Sequence, residues 1–102
     1  MSALQMNALP KNTAASWTLL TNHSHVLVCL AREGNLTVRE LALRIGITER
    51  SVQRILSDLT SAEAIGVTRE GRRNRYTVNE SFRFRHELES QQRIGGLLDL
   101  FR

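Results

Sequence analysis

Two short amphipathic segments on either side of a single glycine constrain the fold of this chain more than any other feature. In each segment the apolar residues fall at i, i+3, i+4 and i+7, the spacing of one helical face. They are Val38, Leu41, Ala42 and Ile45 in the first segment, and Val52, Ile55, Leu56 and Leu59 in the second. Gly46 follows the first segment directly and favours a left-handed helix end. The sequence therefore predicts two helices that pack through their apolar faces across a tight turn.

Polar residues mark where both helices begin. Thr37 and Glu40 form an S/T-x-x-E capping box, in which each side chain satisfies a free backbone N–H group. Thr48 is placed to cap the second helix, which we expect over residues 48–63. A helix, a glycine-centred turn and a second helix are the layout of a helix-turn-helix motif.

A further helix is predicted upstream, and it is apolar nearly all round. Its apolar run covers residues 26–31, with Asn22 as the expected cap and Gly34 as the expected left-handed terminator. A helix without a broad polar face usually lies at the centre of a domain. Cys29 lies in this run, where a thiol acts as a small core residue, and as the only cysteine it excludes an intrachain disulfide.

Beyond these helices the apolar pattern changes to strict alternation. Ile65 and Val67 lie on one side of an extended chain, as do Tyr76 and Val78. Between the two runs, residues 69–75 read Arg-Glu-Gly-Arg-Arg-Asn-Arg. The pattern predicts a β-hairpin whose charged loop, longer than a two-residue turn, projects into solvent as a wing.

The C-terminal segment carries a last amphipathic pattern. Phe82 and Phe84 alternate with arginines, which predicts extended chain, and Ser90 is the expected cap of a short helix. The apolar residues of this helix again follow helical spacing: Ile94, Leu97, Leu98 and Phe101. Such a stripe needs a partner surface, which is either its own domain or a second chain.

The second helix of the helix-turn-helix has a short polar face opposite its apolar face. With about 100° per residue, that outer face is formed by Arg50, Gln53, Arg54 and Ser57. The second helix of this motif enters the major groove of DNA, where arginine pairs with guanine and glutamine with adenine. We therefore predict that these four residues read bases; the alternative is an ordinary solvated helix face.

The basic residues are concentrated in the same region. The chain has 14 Lys and Arg against 10 Asp and Glu, and 13 of the 14 are arginine. That count alone would also fit a soluble basic surface, but residues 37–78 hold +3 of the net +4. We expect contacts with the DNA backbone from Arg39, Arg44, Thr48, Ser51, Arg69 and Arg75. Arg72 and Arg73 are predicted at the wing tip, on phosphate or in the minor groove.

Residues from about Trp17 to Asn79 resemble winged helix-turn-helix transcriptional regulators of the MarR/ArsR-like superfamily. The resemblance is carried by LTVRELA at residues 36–42, GITERSVQRIL at residues 46–56 and EGRRNRYTVN at residues 70–79. It implies a mainly α fold, with a three-helix core, a two-stranded β-hairpin wing and a short C-terminal helix. It also implies DNA binding, often by a dimer.

These observations predict a flexible N-terminal tail over residues 1–15 and a winged helix-turn-helix DNA-binding domain over residues 16–80. Residues 81–102 form a C-terminal segment, whose Ile94, Leu97, Leu98 and Phe101 are the predicted dimer interface. The predicted function is a homodimeric transcription regulator that binds double-stranded DNA sequence-specifically. The alternative is a winged-helix module for protein interaction or assembly, for which apolar anchors would be expected on the outer helix face.

Other classes of protein are not indicated. No Ser/His/Asp spacing, glycine-rich phosphate loop or H-E-x-x-H helix predicts an enzyme. His23 and His25 lie about 200° apart around a helix, so they cannot chelate one ion, and we expect no metal or cofactor. No apolar run approaches the roughly 18 residues of a membrane span. A cytoplasmic location is expected, and nothing in the sequence indicates a small-molecule effector.

Overall fold

The computed structural model describes residues 16–102, so the predicted tail over residues 1–15 lies outside the described chain. The described elements, in chain order, are α1 (Asn22–Arg32), α2 (Val38–Ile45), α3 (Glu49–Ser61), β1 (Ile65–Glu70), β2 (Arg73–Val78) and α4 (Ile94–Asp99). This order confirms the predicted three-helix core, hairpin wing and short C-terminal helix. Within residues 16–102, no helix is long and apolar enough to cross a membrane.

The helix-turn-helix formed by α2 and α3 has the predicted caps. The Thr37 hydroxyl accepts the Glu40 N–H at 3.1 Å, and the Glu40 carboxylate accepts the Thr37 N–H at 2.9 Å. Gly46 ends α2 with a φ of +83°, in the left-handed region. The Thr48 hydroxyl accepts the Ser51 N–H at 3.0 Å and so caps α3. The start of α2, the turn at Gly46 and the start of α3 are therefore fixed by local hydrogen bonds and one glycine.

The end of α3 differs from the predicted boundary at residue 63. The helix ends at Ser61, and Glu63 adopts a φ of 66°. The Ala64 N–H then donates to the Leu59 carbonyl at 2.9 Å. This left-handed residue closes the helix and directs the chain into β1.

Both predicted ends of α1 are wrong. Thr21 is the N-cap, because its hydroxyl accepts the Ser24 N–H at 3.3 Å, and Asn22 already lies inside the helix. At the other end Glu33 caps the helix in an extended conformation, and Gly34 does not have a positive φ. Gly34 instead lies against β2, so the reason for a glycine here is close approach between two segments and not a left-handed turn.

The prediction of a long wing loop is also wrong. The two strands pair antiparallel until Glu70 lies opposite Arg73, which leaves only Gly71 and Arg72 in the turn. Gly71 has a φ of +64°, and a positive φ at the first central position is typical of a type II′ turn. Residues 69–70 and 73–75 continue the strands despite their charge, because all of them are exposed to solvent.

The core lies among α1, α2, α3, α4 and the start of β1. Its largest fully buried side chains are those of Leu41, Leu98, Val26 and Val52. All four predicted apolar residues of α3 are buried. In α2, Leu41 and Ala42 are buried, whereas Val38 and Ile45 pack against the core edge. Cys29 is half-buried at that edge, and burial raises the pKa of its thiol.

The chain after the wing returns to this core. Phe82 and Phe84 pack against it from the predicted extended segment, and an antiparallel bridge joins Arg83 to Arg93. The predicted cap at Ser90 is wrong, since α4 begins four residues later. The Ser90 hydroxyl instead donates to the Glu87 carbonyl at 3.3 Å, within the turn between the two bridged residues.

Candidate nucleic-acid interface

The outer face of α3 is polar and open to solvent. The four residues predicted to read bases are all exposed: Arg50, Gln53, Arg54 and Ser57. Between residues 16 and 102, neither Arg50 nor Arg54 takes part in an ion pair. Their guanidinium groups therefore keep their hydrogen-bond donors for an outside acceptor.

At the N-terminus of α3, the two predicted phosphate ligands contact each other. The Thr48 hydroxyl donates to the Ser51 hydroxyl at 3.0 Å while it accepts the Ser51 N–H. The Thr48 hydroxyl therefore already donates its proton within the cap. The Ser51 hydroxyl keeps its proton, which points to Ser51 as the better placed of the two for a phosphate.

The two arginines of α2 have different surroundings. Arg44 Nη1 lies 2.8 Å from Glu33 Oε1, and both side chains are about half exposed. Arg39 is exposed and has no acidic partner within the described chain. An exposed ion pair is worth little, and within residues 16–102 no other hydrogen bond holds the Glu33 carboxylate, so Arg44 can exchange Glu33 for another anion at small cost.

The wing presents its arginines at different heights along the hairpin. Arg72 lies in the turn itself. Arg69 donates through Nε to the Gly71 carbonyl at 3.2 Å, which holds its side chain along the tip. Arg75 lies further from the tip, 3.8 Å from Glu70. The tip is therefore formed by Gly71 and Arg72.

The sequence predicted Arg73 at the wing tip beside Arg72, and this prediction is wrong. Arg73 begins β2, and its side chain reaches back to α2. Its Nη2 donates to Glu40 Oε1 at 3.0 Å, the oxygen that also accepts the Thr37 N–H. The hydrogen bond from the Thr37 backbone is the main reason why the pKa of Glu40 is lowered, and the Arg73 charge adds to it. The capping box identifies Glu40 in the sequence. The contact between Glu40 and Arg73, 33 positions away, has no local sequence pattern that would predict it.

The predicted dimer stripe is divided between the core and the surface. Ile94 is 4% exposed and Leu98 is 1% exposed, because both pack into the core of their own chain. Leu97 is half-buried, and Phe101 is 42% exposed. Only Leu97 and Phe101 of the four thus remain accessible to a second chain.

Leu97 also lines a groove of about 560 Å³ between the C-terminal segment and the ends of α1 and α3. The groove floor is mainly apolar and includes Leu27, Leu59, Phe82, Phe84 and Ile94. At its edge, His23 Nε2 lies 2.9 Å from Asp58 Oδ2. Sequence reasoning considered His23 only as a metal ligand and missed this contact between α1 and α3.

The helices of this interface match a known class of domain. Residues 19–65 match the family model of winged helix-turn-helix DNA-binding domains. A crystal structure of the zinc-dependent MarR family transcriptional regulator AdcR, in its Zn(II)-bound state, is also similar to this chain. The two share 22% sequence identity with a TM-score of 0.48, over 69% of this chain and 50% of that one, so this chain spans about half the length of AdcR. Comparison with curated proteins finds no match. The described chain has a winged helix-turn-helix fold, and its first three helices match the DNA-binding domains of that fold.

Proposed function

We propose that this protein is a transcription regulator that binds double-stranded DNA sequence-specifically. In this proposal α3 enters the major groove, and the wing at residues 69–75 lies on phosphate or in the minor groove. The observation that carries the proposal is the outer face of α3, where Arg50 and Arg54 flank Gln53 and have no acidic partner among residues 16–102. Arginine and glutamine can make bidentate bonds to guanine and adenine in that groove.

The charge distribution supports the same reading. Residues 37–78 hold +3 of the net charge, and three of their acids are already paired within the chain: Glu40, Asp58 and Glu70. The arginines without an acidic partner in the described chain include Arg39 on α2 and Arg72 at the wing tip. Duplex DNA carries one negative charge per ~1.7 Å of its axis, so a face of this kind attracts it at low salt.

The backbone contacts follow from this placement. Arg39 and Arg44 approach phosphates from α2, Thr48 and Ser51 from the start of α3, and Arg69 and Arg75 from the wing. We assign residues 16–80 as the DNA-binding unit and residues 81–102 as the element for dimerisation. Residues 82, 84, 94 and 98 support a firm attachment of that element, since their side chains pack on or in the common core. We further propose a cytoplasmic location, which a DNA target and the half-buried Cys29 thiol favour.

Selection of bound duplexes from a random DNA pool at physiological salt tests the proposal. We expect enrichment of one sequence motif, and for a dimer two half-sites about 10 base pairs apart. The matched control is the Arg50→Ala/Arg54→Ala variant, which should enrich the motif weakly or not at all. If the wild-type protein enriches no sequence, the domain is an interaction module and the proposal is wrong.

The homodimer is tested through the two stripe residues that remain accessible. Leu97→Asp with Phe101→Asp is expected to convert the protein to a monomer in sedimentation, because an interface core does not tolerate unpaired carboxylates. Leu43→Asp is the control, since Leu43 is also an accessible apolar residue, 73% exposed, but lies on α2. A dimer that survives the double substitution, or that is lost in the control, would place the interface elsewhere.

A further inference from the structure

The outer part of the wing is joined to the rest of the chain by very few contacts. Residues 68–75 are all exposed. Among the described residues, the bond from Arg73 to Glu40 is the one side-chain hydrogen bond between this part of the wing and the body. The next connection is a backbone bond at the base, from the Tyr76 N–H to the Gly34 carbonyl at 2.7 Å.

Packing fixes the base of the hairpin, where Tyr76 lies against the core, but it does not extend to the exposed residues 68–75. A cleft of about 180 Å³ separates the outer wing from the start of α2. Arg69, Arg72 and Asn74 line it from the wing, and Thr37 and Val38 from α2. Among the described residues, the ion pair between Arg73 and Glu40 is the side-chain hydrogen bond that spans this cleft.

Glu40 is a rigid anchor for this ion pair. Its Oε1 accepts both the Thr37 N–H at 2.9 Å and Arg73 Nη2 at 3.0 Å, and its own N–H donates to the Thr37 hydroxyl. The carboxylate is thus held by the cap of α2, an element of the helix-turn-helix. An arginine bound to the Glu40 carboxylate is therefore also held in place relative to α3, which directly follows α2 in the helix-turn-helix.

We propose that Glu40 and Arg73 are positioning residues, which hold the wing in the orientation that lets Arg72 reach DNA. Arg73 then binds Glu40 in the complex as well and does not contact phosphate. This inference rests on the proposed function, and it separates two adjacent arginines that the sequence alone groups together.

The salt dependence of duplex affinity distinguishes the two arginines. The logarithm of affinity falls with the logarithm of salt concentration by about 0.9 for each neutralised phosphate. We expect Arg72→Gln to reduce this slope by about 0.9. Arg73→Gln, which removes the same charge one residue away, should weaken binding by up to about fivefold and leave the slope unchanged. A slope that falls equally in both variants would overturn the proposal.

Two further variants test the partnership. Arg73→Lys keeps a cation for Glu40 and should restore most of the affinity. Glu40→Gln keeps the helix cap, since glutamine also serves in a capping box, but removes the ion pair. If the pair acts as one unit, Glu40→Gln weakens binding like Arg73→Gln, and the double variant is no weaker than either. Additive losses of affinity in the double variant, or tighter binding by Glu40→Gln, would contradict the positioning role of the pair.

A measurement without DNA keeps this inference separate from the proposed function. Amide hydrogen exchange in β1 and β2 should accelerate in Glu40→Gln and Arg73→Gln and stay unchanged in Arg72→Gln. Unchanged exchange in all three variants would show that the ion pair does not hold the wing. If the wild-type protein binds no duplex, the proposed function is wrong. The exchange rates of the three variants still show whether the ion pair holds the wing.

Discussion

Replacing Gly34 with alanine is expected to destabilise the protein by about 1–3 kcal/mol. A Cβ atom at this position would lie 2.5 Å from the carbonyl oxygen of Tyr76, which is a backbone atom and cannot rotate away. The Gly34 carbonyl accepts the Tyr76 N–H at 2.7 Å, so the loop after α1 and β2 are held at this separation. Accommodating the methyl group requires either that bond to break or the base of the wing to shift.

Gly66→Ala provides the matched control. Gly66 lies in the neighbouring strand, has no positive φ and would have nothing within 4 Å of an added Cβ. Its substitution should leave the free energy of unfolding unchanged or raise it by up to about 1 kcal/mol, because alanine reduces the conformational freedom of the unfolded chain. Urea unfolding of both variants makes the comparison. Equal stability of Gly34→Ala and Gly66→Ala would mean that the close approach at β2 is not maintained in solution.

The second large effect is expected on the outer face of α3. Arg50→Ala or Arg54→Ala should each reduce discrimination for the selected duplex by about 1–3 kcal/mol, since a bidentate arginine–guanine pair is worth that much. The loss falls on specificity because base contacts, and not phosphate contacts, carry sequence information.

The measurement compares the affinity for the selected duplex with that for a scrambled duplex at fixed salt. Arg93→Ala is the control, because Arg93 is exposed and lies outside the basic segment at residues 37–78. The control should keep the ratio of the two affinities. If Arg50→Ala and Arg54→Ala weaken both duplexes equally, these arginines contact the backbone and another face of the domain reads the bases.

Local patterns in the sequence were sufficient for the helix-turn-helix. The caps at Thr37 and Thr48 and the left-handed Gly46 involve residues at most four positions apart, so their geometry follows from the sequence alone. The burial of α3 was predictable for the same reason, because helical periodicity fixes which side chains share a face.

Contacts between distant segments could not be predicted in this way. The role of Gly34 depends on β2, whose nearest atom belongs to Tyr76, 42 positions later. The bond between Arg73 and Glu40 likewise depends on the path of the whole domain. The apolar stripe of α4 was visible in the sequence, but periodicity does not state what covers a face. Ile94 and Leu98 are covered by their own chain.

The two-residue turn of the wing couples the length of the hairpin to the direction of its side chains. Strand residues alternate between faces, so one inserted residue would reverse every later side chain and turn Arg73 away from Glu40. Two residues inserted in each strand would keep the outer side chains on their present faces and move the tip outward by about 7 Å. The reach of Arg72 can therefore change without turning Arg73 away from α2 only when both strands are lengthened by two residues at a time.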